Sequence, residues 1–196
     1  MVRVGLTGGM GSGKSYVSAL LFMRGIPVYD SDSNARRIMS TDKETIRALT
    51  DVVGENLYRD GILDRRLMAG YIFGDKEHAR AVESVVHPKV REDFRIWTEH
   101  LNKDVRVCVL ESAILFESGF DSEVDVTVAV YAPEELRIDR CVKRDGSDRE
   151  SVLSRIRNQA DQDWICSMSD YVIVNDGIAE LNAQIDNIIN KFNTDN

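Results

Sequence analysis

The chain has 196 residues, of which 43% are hydrophobic and 30% are charged, and its formal net charge is −8 at pH 7. These proportions are typical of a globular domain, and no apolar run approaches the roughly 18 residues that span a bilayer, so a helical membrane protein is excluded. The excess negative charge repels nucleic acid and anionic lipid, and neither is expected as a partner.

The cysteines indicate the compartment. Cys108, Cys141 and Cys166 lie far apart and form no C-x-x-C pair. Such a set argues against both a disulfide framework and a thiolate zinc site. The chain also opens on a strand-like segment and not on a signal peptide. We therefore expect a protein of a reducing compartment, the cytoplasm.

The first thirty residues predict two strands joined by a glycine-rich loop and a helix. The apolar segment 2–7 predicts a buried strand. Apolar residues at helical spacing predict a helix from Lys14 to Arg24, which Gly25 ends. A short second strand, residues 26–29, ends on Asp30.

Residues 33–101 carry a long helical pattern. The residues that punctuate it are Gly54, Gly61, Gly74 and Pro88. Because this segment is too long for a simple crossover, we expect a helical insertion over about 32–103, with His87 and Pro88 between two of its helices.

Beyond the insertion, strands and helices alternate as in a parallel α/β sheet. The predicted strands are 105–110, 124–131 and 171–174. The predicted helices run from Pro133 to about Arg144, onward after a break to about Asp161, and over 181–192. We therefore expect one α/β domain whose parallel sheet is flanked by helices. Its core would be about 1–31, 104–142 and 165–196, and a small helical lid would be about 143–164.

The glycine-rich loop meets the pattern G-x-x-x-x-G-K-[ST] with Gly8, Gly13, Lys14 and Ser15, and we call residues 8–15 the phosphate loop. Its glycines let backbone N–H groups converge on an anion, and the following helix adds the positive end of its dipole. Lys14 can reach the β- and γ-phosphates of ATP, and the Ser15 hydroxyl can bind Mg²⁺. The expected ATP-binding residues are Gly9, Met10, Gly11, Ser12, Gly13, Lys14 and Ser15. The predicted fold class is therefore that of the P-loop NTPases.

Carboxylates follow two of the predicted strands. Asp30 and Asp32 come at the end of the second strand, where a carboxylate can accept a proton from an attacking hydroxyl or hold Mg²⁺ through water. The alternative is that Asp32 only caps the next helix, but the upstream phosphate loop favours catalysis. Glu111 ends the third strand, and it is either an aid to Mg²⁺ binding or a solvated strand-end residue.

Arginines form the local positive charge that an anion site needs in an acidic protein. Arg137, Arg140 and Arg144 share one face of the helix after Pro133. A solvated face is the ordinary interpretation, whereas the net charge favours phosphate binding. The polar helices around this cluster are typical of a lid that closes over ATP. Asn175, after the last strand, either approaches the adenine or only forms a turn.

In chain order these motifs resemble those of the dephospho-CoA kinase family nearly from end to end. The matching segments are 5–15, Asp30-Ser31-Asp32 with Ala35-Arg36, His87-Pro88, Arg140…Arg144-Asp145, Arg155…Gln159 and 170–177. The phosphate loop alone occurs in many families, whereas the ordered set is specific. One departure is that Glu111-Ser112-Ala113 stands where the family usually has D-x-P.

The resemblance implies ATP-dependent phosphorylation of the ribose 3′-hydroxyl of dephospho-CoA, the last step of coenzyme A synthesis. It implies that Asp32 is the base, and that Lys14 and Arg140 stabilise the transferring phosphoryl group. The other implied ligands are Arg144 and Asn175 for ATP, and Arg36 and His87, beside Asp32, for dephospho-CoA. The helical insertion is implied to bind that substrate.

Two alternatives remain. Another small-molecule kinase of this fold, such as a shikimate kinase, also combines this loop with D-x-D, but that family carries a glycine triplet where this chain has Ser112-Ala113-Ile114. A GTP-dependent switch needs N-K-x-D, and Asn102-Lys103-Asp104-Val105 misses that spacing.

Overall fold

The computed structural model of the chain describes residues 1–194. Its strands are β1 (Val2–Thr7), β2 (Val28–Asp30), β3 (Tyr58–Arg59), β4 (Ile62–Leu63), β5 (Val107–Glu111), β6 (Val126–Tyr131) and β7 (Tyr171–Val174). Its helices are α1 (Lys14–Met23), α2 (Ser31–Thr41), α3 (Lys43–Val53), α4 (Arg65–Ile72), α5 (Lys76–Glu99), α6 (Glu134–Asp145), α7 (Arg149–Arg157), α8 (Gln162–Met168) and α9 (Leu181–Thr194). Within this range, every helix is too short or too polar to cross a bilayer.

The main sheet is parallel and has the strand order β2-β5-β1-β6-β7. Its register places Leu6 of β1 beside Glu111 of β5, and Thr7 of β1 beside Ala129 of β6. Asp30, at the end of β2, pairs in turn with Glu111. The chain after β1 therefore leaves the sheet between the carboxyl ends of its two neighbours, where open α/β sheets bind ligands. This sheet with its flanking helices confirms the predicted fold class.

One apolar cluster joins the sheet to α1 and α9. Its buried members are Val4, Leu6, Val17, Leu21, Ile26, Val107, Val109, Val128, Val130, Ile173, Ile185 and Phe192. The apolar stripes predicted on the first and last helices are therefore the faces that cover the sheet. Removal of this apolar surface from water is the main favourable contribution to folding of this part of the chain.

Residues 31–100 form a compact unit of their own, in which α2, α3 and α4 pack against α5. The helix α5 is 24 residues long and contains Pro88 in its interior. The expectation that His87 and Pro88 lie between two helices is therefore wrong. A proline inside a helix costs about 3 kcal/mol. The buried stripe Val82, Val86, Val90 and Phe94 continues on both sides of Pro88, and its packing holds the helix together.

The same unit contains a hairpin where the sequence predicts only helices broken at glycines. β3 and β4 pair antiparallel around Asp60 and Gly61, whose φ angles are 51° and 78°. Positive φ at both central residues is the requirement of a type I′ turn, and Asp-Gly is a preferred pair for it. The hairpin signal was therefore present in the sequence, although the surrounding helical periodicity outweighed it.

The prediction that one polar helix runs to about Asp161 is also wrong. α7 ends at Arg157, and a separate helix, α8, begins at Gln162. Asp161 is the residue that starts this second helix, because its carboxylate accepts hydrogen bonds from the backbone N–H groups of Asp163 and Trp164. An aspartate at this position is a strong helix-start signal.

The cysteines support a simple prediction about thiol chemistry. Cys108 and Cys141 are buried, Cys166 is half-buried, and all three are free thiols. Burial raises the pKa of Cys108 to about 11, so this thiol stays protonated at pH 8. We expect a thiol reagent at pH 8 to modify no more than one cysteine per native chain, the half-buried Cys166, and all three in urea. A count below three in urea would contradict the absence of disulfides.

Candidate active site

The phosphate loop occupies the gap between β1 and α1, at the carboxyl edge of the sheet. Gly11 and Gly13 have φ angles of 80° and 92°, in the left-handed region that favours glycine. A β-carbon on Gly11 would collide with the backbone carbonyl of Arg137, and one on Gly13 would collide with the Asn175 amide. Both glycines are therefore required by conformation and by close approach, and Lys14 begins the helix directly behind them.

Glu111 lies beneath this loop and is 6% exposed. Its Oε1 accepts hydrogen bonds from Lys14 Nζ at 2.6 Å and from Ser15 Oγ at 3.0 Å. Its Oε2 accepts one from Ser18 Oγ at 2.5 Å. The interpretation of Glu111 as a solvated strand-end residue is therefore wrong. This carboxylate instead orients the two side chains that the sequence assigns to phosphate and metal binding.

We expect the variant Glu111→Ala to be less stable by about 3 kcal/mol, because it leaves a buried lysine without its counter-ion. The Lys14 side chain is only 12% exposed, so water cannot replace the lost carboxylate fully. Urea denaturation measures this change. The matched control is Glu135→Ala, which breaks an exposed ion pair with Arg149 and should leave the stability unchanged within error. Equal stability of both variants would contradict a buried pair.

Of the three arginines predicted to share one helix face, two contact the phosphate loop and the third pairs with a neighbouring aspartate. Arg137 is 5% exposed and donates from Nε to the Met10 carbonyl at 2.9 Å. Burial lowers the pKa of Arg137, although the group remains charged at neutral pH. Arg140 donates to the carbonyls of Gly11 and Ser12 at 3.4 and 3.3 Å. Arg144, by contrast, has a 63% exposed side chain that pairs with Asp145 at 2.7 Å.

Asn175 joins the loop to the end of β7. Its Nδ2 donates to the Ser12 carbonyl at 2.8 Å, and its backbone carbonyl accepts from Arg140 at 3.1 Å. Asn175 therefore does more than form a turn. Its side chain fixes the part of the phosphate loop that precedes Lys14.

Three further predicted residues lie in the unit of residues 31–100. Asp32 is an exposed residue in the first turn of α2, two positions after the end of β2. Arg36 is exposed on the same helix, and His87 is half-buried in α5. Burial, partly offset by Glu83, lowers the pKa of His87, so its imidazole is neutral at pH 7.

The oxygen atoms of the site suit a small, hard cation that binds together with phosphates. Within residues 1–194 there is no group of three or more His, Cys, Asp or Glu side chains that could form a protein metal cage. Mg²⁺ in phosphoryl-transfer sites needs no such cage, because one or two protein oxygens and the substrate phosphates complete its coordination. The Ser15 hydroxyl and the Glu111 carboxylate, which are hydrogen-bonded to each other, are oxygens of that kind.

Two contacts of the site were not predicted from the sequence. Arg137 was assigned to a phosphate-binding face, yet its guanidinium contacts the Met10 carbonyl. Gln159, which the sequence marked only as part of a matching segment, accepts a hydrogen bond from the Met10 N–H at 2.7 Å. Only the i, i+3 spacing of Arg137 and Arg140 hinted that both would face the loop.

The comparisons with known proteins agree with this geometry. The family model for dephospho-CoA kinase matches residues 2–180. This chain belongs to that family. A dephospho-CoA kinase of Bacteroides fragilis (strain YCH46) is 44% identical to it over 94% of this chain and 89% of its own length.

Two solved structures are similar to the chain in fold. The Thermus thermophilus protein TT1252 is 34% identical, with a TM-score of 0.86 over 97% of this chain and 96% of its own. The dephospho-CoA kinase from Campylobacter jejuni shares the fold, with a TM-score of 0.71 at 22% identity over 96% of each chain. Membership in the dephospho-CoA kinase family makes the chain a kinase, a transferase whose phosphoryl donor is ATP. It confirms the family that the motifs indicated and argues against a shikimate kinase or a GTP-dependent switch.

Proposed function

We propose that this chain transfers the γ-phosphoryl group of ATP to the ribose 3′-hydroxyl of dephospho-CoA, giving CoA and ADP. The observation that carries the proposal is the match of the dephospho-CoA kinase family over residues 2–180. The phosphate loop, with Lys14 and Ser15 at the carboxyl edge of the sheet, supports the same reaction because it supplies the contacts that phosphoryl transfer requires.

The donor side of the reaction rests on the phosphate loop. Backbone N–H groups of the phosphate loop bind the phosphates of ATP, except that of Met10, which donates to Gln159. The Lys14 ammonium neutralises charge on the β- and γ-phosphates. Arg140 places a further positive charge near the leaving phosphates. Asn175 hydrogen-bonds both to Arg140 and to the phosphate loop, and so holds the two together. In this proposal Arg144, in a lid of about 143–164, joins them when the lid closes.

Asp32 is the base of the proposed mechanism. Its carboxylate accepts the proton of the 3′-hydroxyl, and the oxygen forms a bond to the γ-phosphorus while the bond to ADP breaks. Arg36 and the neutral His87, in an insertion of about 32–103, would bind dephospho-CoA by charge and by hydrogen bonding respectively.

We also propose Mg²⁺ as the cofactor and the cytoplasm as the location. The residues that would hold the ion are Ser15 directly and Glu111 through water, and the bound ion supplies charge neutralisation at the β- and γ-phosphates. Free cysteines at positions 108, 141 and 166 fit a reducing compartment. The expected partner is the small-molecule substrate dephospho-CoA, with neither nucleic acid nor membrane involved.

The test is an ADP-release assay with MgATP and four separate acceptors: dephospho-CoA, shikimate, AMP and adenosine. We expect turnover with dephospho-CoA far above that with the other three. Turnover with another acceptor but not with dephospho-CoA would overturn the proposed substrate and leave the kinase class standing. Activity with shikimate alone would restore the shikimate kinase alternative.

A further inference from the structure

One residue of the phosphate loop, Met10, is held on three sides by the segment that follows β6. Its carbonyl accepts a hydrogen bond from Arg137 Nε at 2.9 Å. Its N–H donates to Gln159 Oε1 at 2.7 Å. Its side chain packs against the apolar cluster between α6 and α7.

The contacts come from two elements, α6 and the segment between α7 and α8. Arg137 lies in α6 and is 5% exposed, and its guanidinium and its backbone carbonyl close-pack against Gly9 and Gly11. Gln159 lies two residues after the end of α7 and is half-buried, in the segment between that helix and α8. The loop is thus held by α6 through Arg137 and by the end of α7 through Gln159.

The side chain of Met10 also packs against a cluster that α7 helps to form. The cluster that receives Met10 consists of Ile138 and Cys141 from α6 and Val152 and Ile156 from α7. A displacement of α7 would therefore disturb both the packing of the Met10 side chain and the hydrogen bond of its N–H. Met10 is half-buried, and an N–H that loses its acceptor at such a site destabilises the arrangement, so the hydrogen bond favours the position of α7 seen here.

We propose that Gln159 is a positioning residue for phosphoryl transfer, which acts through Met10 to couple α7 to the phosphate loop. With Gln159 in place, the two peptide groups that flank the Met10 α-carbon are both held, one at its N–H and the other at its C=O, and the neighbouring N–H groups of the loop are preset for phosphate. Linkage then requires that ATP binding stabilises α7 in its position against α6, and that α7 in this position strengthens ATP binding. This inference rests on the ATP-binding part of the proposed function and is independent of the acceptor.

Selective ¹⁵N labelling of methionine tests the contact directly in the full chain. The variant Gln159→Ala should shift the Met10 amide signal and speed its hydrogen exchange, while the signals of Met23, Met39 and Met68 serve as internal references. Gln159→Glu keeps a side-chain oxygen at the same reach and should restore slow exchange at Met10. An unchanged Met10 signal in Gln159→Ala would overturn the contact.

Calorimetric titration with MgATP, without any acceptor, tests the coupling. We expect Gln159→Ala to weaken ATP binding about tenfold, because the loop loses one of the two hydrogen bonds that hold the Met10 backbone. Asn158→Ala removes an exposed amide from the neighbouring position and is the matched control, with unchanged affinity and an unchanged Met10 signal.

The two readouts separate positioning from simple support of the fold. If Gln159→Ala moves the Met10 signal while ATP affinity stays at the wild-type value, the residue is structural only and the proposal is wrong. If the wild-type chain binds MgATP as described but fails to phosphorylate dephospho-CoA, the proposed function is wrong while the role of Gln159 still stands.

Discussion

The variant Asp32→Asn should lower kcat with dephospho-CoA by about 100-fold or more while ATP affinity changes by less than about twofold. An asparagine amide keeps the size of the side chain but cannot accept the hydroxyl proton. Steady-state kinetics give kcat, and calorimetry gives the ATP affinity separately. The effect should therefore fall on the chemical step and not on binding of the donor.

The control for this variant is Asp51→Asn. Asp51 is an exposed aspartate of α3 in the same unit, so its replacement removes the same charge from the same part of the chain. We expect kcat in this control to match the wild type. Near-normal kcat in Asp32→Asn would rule out Asp32 as the base, and a parallel loss in Asp51→Asn would attribute the effect to net charge.

Replacement of Lys14 by methionine should lower kcat/KM by about 10³-fold, because the γ-phosphoryl group loses a preorganised positive charge as it transfers. Methionine retains the length of the side chain and removes only the ammonium. The same change leaves the buried Glu111 with only the hydroxyls of Ser15 and Ser18 as donors, so the variant should also be less stable.

A double variant separates these two effects of Lys14. Lys14→Met combined with Glu111→Gln removes both buried charges, so it should recover most of the lost stability. It should recover no activity, since the ammonium is still absent. Return of kcat/KM in the double variant would show that the single variant fails through misfolding and that Lys14 has no direct role at the phosphates.

The hydrophobic pattern and the phosphate loop predicted the sheet well. The segments 2–7 and 171–174 are strands with the predicted bounds, because strands of a parallel sheet carry mainly apolar runs that few other structures need. The hairpin at Asp60 and Gly61 was missed because two-residue strands are too short to show alternation. Pro88 was misplaced because packing on both sides of a proline cannot be seen from its neighbours in sequence.

The site was predictable in its residue types but not in its internal contacts. Lys14, Ser15 and Arg140 follow from local motifs. The burial of Glu111 among three donors depends on β5 lying beside β1, which is a contact between residues about 100 positions apart. The bond between Met10 and Gln159 spans 149 positions, so no local pattern could reveal it.

The central claim is that the chain phosphorylates the 3′-hydroxyl of dephospho-CoA, and the position of the new phosphate in the product tests it most directly. The product made from MgATP and dephospho-CoA can be isolated and examined by phosphorus–proton correlation. The account predicts a new monoester phosphorus that couples to the ribose H3′ proton. A phosphorus coupled to H2′, or the absence of any phosphorylated product, would contradict it.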